Sequence, residues 1–581
     1  MNKRVAYPIL AVMVAVLALA GCGAPTAEEI PAPTLATTAE TVGQADPLPM
    51  PVKVEAEEGA SSAQTESGTT GAAPRAGAVV NDTGFRPAQH GFSFPNYGDD
   101  IPAANLTPAE MHRMFGDAVC ARGSGSSCVL SPVAQQWMEQ ANDAMKGGHC
   151  EGMAVLSLLM FKGQVSPAPF GGRSASALRI EGNEPLQREI AYWWATQAVP
   201  TVVGQVIKGA PTDILDVLKQ ADFSKESYTI GIYKPDMSGG HAITPFGVKD
   251  AGKGLFVVQV YDNNYPGQER ELLIDVNENS WVYEASINPQ VQSELYSGDA
   301  GTQTLDLTPT SARLVQPPCE FCVARATGAG RLAAPDQRMM EVFLDGEGRL
   351  LITDDAGRRL GYVDGRMVNE IPGAQVLPWR MGVNINAPEP RYALPASANI
   401  TVTIDGRHLA EPTATDLFFF APGFAIGIEQ IDLQPGRADV VNFYPRDEVL
   451  IYETDSAQSP YLVVALESRG KDKKADYYFE VQGADMQGGG VIGIGLDSKS
   501  GNLTILAERL TNDGVFSFVM NRVTREADEA FYAEGIQLRA GAQVFIDFAD
   551  WQQDKPEGLY FGVDLDGDDV IDDEYTVDNA K

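Results

Sequence analysis

Apolar residues recur at helical spacing in the first half of the chain and at alternate positions in the second. Val133, Trp137, Ala141 and Ala144 share one face of a predicted helix over 131–145. Gly147-Gly148 ends it, and the apolar run Val155, Leu156, Leu158, Leu159, Met160, Phe161 predicts a buried helix that opens near Cys150. Leu186, Ile190, Trp193 and Gln197 share a face of a third helix, with Trp194 beside them. A short helix follows over 213–221, with Ile214, Leu215 and Leu218 inward. The pattern then switches to strands at 228–233, 242–248, 255–262, 271–275 and 281–285. Helices first and an antiparallel sheet second is an α+β order, and it defines a domain over 85–300.

From Met339 the alternation is that of hairpins, with short apolar runs punctuated by Asp and Gly. Further strands are expected at 399–404, 416–420, 449–452, 461–466 and 477–481, grouped as two β-sandwich-like units over 335–455 and 456–581. The glycines at 488–490, 493 and 495 predict a bulge or tight turn. A nucleotide loop would need a following helix and a Lys-Ser/Thr pair.

The N-terminus adds a location. Lys3-Arg4, an apolar stretch from Ala11 to Ala20 and a small-residue ending describe an export signal over 1–22, too short to span a bilayer comfortably. Its ending, Leu19-Ala20-Gly21-Cys22, resembles the bacterial lipobox. That resemblance implies cleavage before Cys22 and a diacylglycerol on its sulfur, anchoring the protein outside the cell membrane. Residues 23–80 are rich in Pro, Ala, Thr, Glu and Ser, and cannot bury enough surface to offset their chain entropy, so they form a disordered tether. Net charge is -35, from 43 basic and 78 acidic residues, which excludes nucleic acid and leaves the lipid anchor as the membrane contact. A monomer is expected.

The six cysteines narrow the chemistry. Cys22 belongs to the lipid. Cys120 and Cys128 flank a polar loop that a disulfide closes easily, and Cys319 and Cys322 form a close pair. A zinc site at Cys319-x-x-Cys322 would want further ligands, and a redox motif would want a thioredoxin-like setting; neither is visible. Cys150 is left as a free thiol, on a glycine turn at the start of a buried helix. His241 opens one strand and Asp262 closes the next, with Asn263 the runner-up. A thiol, an imidazole and a group to orient it are the parts of a nucleophilic acyl-transfer site. His149 lines the cleft in this reading.

Gly147 to Ala154, Gly240-His241-Ala242-Ile243 and Tyr261-Asp262-Asn263, in that chain order, resemble the papain-like cysteine peptidases. The resemblance implies amide hydrolysis of a polypeptide through a thioester, with no catalytic cofactor. A transamidase of the same fold and a non-catalytic surface binding protein are the alternatives. Ala144 stands where the family has an oxyanion-binding glutamine, and Gln140 or Asn142 are the substitutes considered.

The stretch 564–574 resembles an Asp-x-Asp-x-Asp calcium loop, with Asp564, Asp566, Asp568 and Asp572 as ligands. It departs from that pattern at Asp569 and Tyr575, so structural calcium and an acidic turn both stand.

Overall fold

The apolar helix expected after Gly148 runs from Cys150 to Phe161 (α2), and every residue from Cys150 to Met160 is buried. A helix with no polar face needs cover on all sides. On one side lies the helix Glu184–Ala195, approached so closely that a Cβ at Gly152 would overlap the Ile190 carbonyl. On the other lies the first sheet. The computed structural model describes residues 77–237, 239–285, 294–323, 338–382, 389–467, 475–510, 514–553, 558–568 and 570–580. The expected export signal with Cys22, and the expected tether up to residue 76, lie outside the described residues.

The fold is mixed α+β, with a β-rich C-terminal region. Helix α1 (Pro132–Ala144) precedes α2, capped at its start by the Ser131 side chain accepting from Ala134 N–H. The first sheet is antiparallel. Its centre is β1 (Tyr228–Tyr233), β2 (Gly240–Gly252) and β3 (Leu255–Asp262), continued by Glu269–Asp275, Ser280–Ala285 and Glu294–Asp299. On the other side of β1 runs β4 (Leu305–Pro309). The sheet therefore extends past the expected boundary at 300, because β4 supplies the neighbour that β1 requires. Ala78–Asp82 pairs with the distal part of β2, so residues 78–80, placed in the tether by composition, belong to the folded body. No helix among the described residues is long and apolar enough to cross a membrane.

The C-terminal half is a sandwich of a nine-stranded and an eleven-stranded antiparallel sheet. Neither sheet breaks at 455–456, where the sequence pattern suggested a boundary. Phe424–Leu433 pairs with Tyr461–Leu466, and Val449–Thr454 pairs with Met486–Asp497. One continuous core spans both halves, from Met340 to Phe561. Turn punctuation looks the same within a sheet as between domains, so it does not mark this boundary. The glycine cluster lies in the strand Met486–Asp497, where the register shifts between Met486 and Val491, as a bulge does.

The nine-stranded sheet is covered on both faces. Leu417 and Phe419 face the sandwich core, while Phe418 and Phe420 join the helical core with Trp137 and Trp194. A strand buried on both faces reads as an unbroken apolar run, which is what Leu417 to Ala421 is. This packing brings the C-terminal half against the helices that carry the site.

Candidate active site

Cys150 is the first residue of α2, and its sulfur is fully buried. The backbone N–H of Ala242, on β2, donates to Sγ at 3.3 Å. The two expected disulfides, Cys120–Cys128 and Cys319–Cys322, are formed with Cα separations of 5.4 and 5.3 Å, and Cys150 is the free thiol among the described residues.

Strand register brings the imidazole and the carboxylate together. Asp262 on β3 pairs directly with Ile243 on β2, so it shares a face with Ile243 and His241 and stands diagonal to His241. His241 Nε2 lies 2.7 Å from Asp262 Oδ1. The same oxygen accepts from Asn264 N–H at 2.8 Å, and Oδ2 accepts from the Tyr283 hydroxyl at 2.7 Å. Burial opposes ionisation of Asp262, but His241, Tyr283 and Asn264 hold it below the usual carboxylate range. Burial alone lowers the His241 value; Asp262 and Cys150 overcome that and raise it to about 10.

The other ring nitrogen, Nδ1, faces Cys150 and meets no hydrogen-bond partner of normal geometry among the described residues. It lines the same small gap as the Cys150 sulfur: a Cβ built on Gly382 would collide with Nδ1 and sit 3.1 Å from Sγ. Cys150, His241 and Asp262 are thus brought together in the order thiol, imidazole, carboxylate. Asn263 is not the orienting group. Its Nδ2 donates to the Cys150 carbonyl at 2.9 Å and the Ala242 carbonyl at 3.3 Å, tying α2 to β2.

A backbone carbonyl, that of Met381, lies at the head of α2. It accepts from Cys150 N–H at 3.4 Å and from Asn96 Nδ2 at 2.8 Å. A helix N-terminus leaves such N–H groups without intrahelical partners. Asn96 is itself held by His149 N–H, which donates to its Oδ1 at 2.8 Å. Neither Gln140 nor Asn142 takes this place. Asn142 is spent on a two-bond clamp to the Leu106 backbone, at 2.9 and 3.0 Å, and Gln140 Oε1 is buried in α1 without a partner among the described residues. Asn96 was missed because it stands in the irregular stretch Phe94-Pro95-Asn96-Tyr97, 54 positions before Cys150, where no period identifies it.

His149 does not line a cleft. It is buried, stacked on Tyr97 at 4.2 Å, with Nδ1 2.8 Å from the Tyr97 carbonyl and Nε2 2.9 Å from Asn105 Oδ1. Burial lowers its value to about 4. The ring is a structural element tied to Tyr97 and Asn105, and Asn96 is held by the backbone N–H of the same residue, His149.

In the acidic C-terminal loop Asp564, Asp566 and Asp572 offer oxygens within 4.8 Å of one another. Asp568 is not part of that group; its carboxylate accepts from Val570 N–H at 3.0 Å. Asp564 and Asp572 also accept from loop N–H groups, at 2.7 Å from Gly567 and 2.9 Å from Leu565, so these carboxylates also serve the turn itself.

The chain matches no protein-family model, no curated protein and no solved structure.

Proposed function

We propose that the protein is a papain-like thiol hydrolase that cleaves peptide bonds through a thioester on Cys150, carried by a lipid-anchored exported chain. The observation that carries this reading is the buried alignment of Cys150, His241 and Asp262, with the Cys150 N–H and Asn96 Nδ2 converging on one carbonyl oxygen.

Each group has a chemical task. The Cys150 sulfur attacks the substrate carbonyl carbon, forming a C–S bond. The oxygen that gains charge is held by Cys150 N–H and Asn96 Nδ2, donors already in place. His241, kept charged by Asp262, gives the Nδ1 proton to the leaving amine as the C–N bond breaks. Water then adds to the thioester carbon and gives a proton to His241, and the C–S bond breaks to release the acid and return Cys150 as a thiolate beside the charged ring. Asp262 holds the ring orientation through Nε2, and Tyr283 and Asn264 hold Asp262.

A mixed peptide library tests the reading. Wild type is expected to release new amino termini, with none released by Cys150→Ala or His241→Ala. Equal turnover by wild type and Cys150→Ala would remove the thiol from the chemistry.

A further inference from the structure

We propose that the chain carries its own substrate: the segment Trp379–Arg380–Met381–Gly382 lies in the cleft in substrate fashion, and Cys150 cuts the Met381–Gly382 bond. This rests on the thiol-hydrolase reading above.

The segment is bound through its backbone as an extended substrate would be. Met381 N–H donates to the carbonyl of Gly240, the residue before His241, at 3.1 Å. Arg380 N–H donates to Gln197 Oε1 at 2.9 Å, and the Arg380 carbonyl accepts from Trp194 Nε1 at 3.1 Å. The Met381 carbonyl sits between the two donors that would stabilise a tetrahedral oxyanion, and the Gly382 carbonyl accepts from Asn264 Nδ2 at 3.1 Å. Gly382 abuts His241 Nδ1, the ring nitrogen that would give its proton to the leaving amine. Gly382 has φ +74° and no room for a Cβ, which would strike His241 Nδ1. Glycine alone lets the backbone come this close.

Side-chain recognition is equally specific. Arg380, two residues before Gly382, is buried in a pocket of the N-terminal domain. Its Nη2 donates to Asp306 Oδ1 at 2.8 Å, Nη1 to Thr308 Oγ1 at 2.9 Å and Glu151 Oε1 at 3.3 Å, and Nε to the Tyr233 hydroxyl at 2.6 Å. Arg313 also pairs with Glu151. Two buried carboxylates thus face two guanidinium groups, and loss of Arg380 would leave one carboxylate uncompensated, which is costly in a buried site. The pocket is built to receive a cationic side chain. Trp379, the next residue back, stacks on Trp194 at 4.9 Å.

Bond formation and cleavage balance without an added reagent. Sγ bonds to the Met381 carbonyl carbon, the bond to the Gly382 nitrogen breaks, and that nitrogen takes a proton from His241. Water then releases Met381 as a carboxylate. The two pieces would stay together, because Met339–Asp345 lies between Arg391–Pro395 and Thr413–Ala421 in one sheet. After the cut, the new end can leave the cleft and admit other chains with Arg or Lys two residues before the scissile bond.

The test uses the full chain as wild type, Cys150→Ala, Arg380→Lys and Arg380→Gln, followed by denaturing electrophoresis, intact mass and N-terminal sequencing. Wild type should yield one piece ending at Met381 and another beginning at Gly382, which co-elute under native conditions. Cys150→Ala should stay whole, alone or mixed with wild type, since the segment is cut within its own chain. Arg380→Gln should slow the cut at least tenfold, and Arg380→Lys should restore most of the rate. A peptide with the sequence Trp-Arg-Met-Gly is assayed in parallel. A wild-type chain that stays whole while hydrolysing this peptide overturns self-cleavage and leaves the hydrolase reading standing. If neither chain nor peptide is cut, both fall. Cutting of Arg380→Gln at the wild-type rate overturns the role of the acidic pocket.

Discussion

Asp262 meets His241 across two paired strands, 2.7 Å from Oδ1 to Nε2, while its neighbour Asn263 turns away to the carbonyls of Cys150 and Ala242. Adjacent residues on a strand point to opposite faces, so only one of them can orient the imidazole. The two substitutions should therefore fail differently. Asp262→Asn should lower kcat by about a hundred-fold or more and move the pH–rate profile, because the charge that sustains the imidazolium is gone. Asn263→Ala should lower the melting temperature and leave the shape of that profile unchanged. Identical profiles for Asp262→Asn and wild type would contradict the assignment.

Asn96→Ala removes one of two donors from the oxyanion position. The expected loss is about 10²–10³ in kcat with KM little changed, measured on a peptide substrate. A change confined to KM would make Asn96 a binding group only.

His149 sets an acid limit on stability. Its value is depressed to about 4 in the folded protein, from 6.5, because the buried ring resists protonation. The stabilisation this represents is fully present above about 6.5 and is lost as pH falls through about 4, on the order of 3 kcal/mol across that window. His149→Gln should be less stable at neutral pH yet lose less stability between these limits, as read by denaturant titration. Parallel pH curves for the two proteins would contradict this.

Asp564, Asp566 and Asp572 converge closely enough to share one cation. Calcium should raise the melting temperature of wild type and not that of Asp566→Ala. Absence of a wild-type shift would leave these carboxylates as caps for the loop.

Much of the site could be read from the sequence because local rules suffice for it. A glycine turn before an apolar run places Cys150 at a helix start, and strand alternation separates Asp262 from Asn263. Pairing of nearby cysteines left Cys150 over, as the two disulfides bear out. What escaped depends on contacts distant in sequence. Asn96 reaches the Met381 carbonyl across 285 positions, and no periodicity announces either residue. The segment Trp379–Gly382 reads as one more loop of the β-rich half, and only packing of the nine-stranded sheet on the helices carries it to Cys150. The division at 455–456 failed for the same reason: strand partners across it are chosen by the shared core, which local punctuation does not encode.

NMR titration of the His241 ring in histidine-labelled protein decides whether Cys150 and His241 act as the charged pair, oriented by Asp262, that the proposed hydrolase requires. The stability supplied by the charged ring is fully present below its unfolded value of 6.5 and is lost as pH rises through the folded value of about 10. The ring should accordingly remain protonated beyond pH ~8, well above an unperturbed histidine. Cys150→Ser and Asp262→Asn should each lower the titration midpoint, since both partners raise it. A His241 ring that is neutral at pH ~7 in wild type, or a midpoint that Cys150→Ser leaves unmoved, would contradict the pairing and with it the proposed hydrolase.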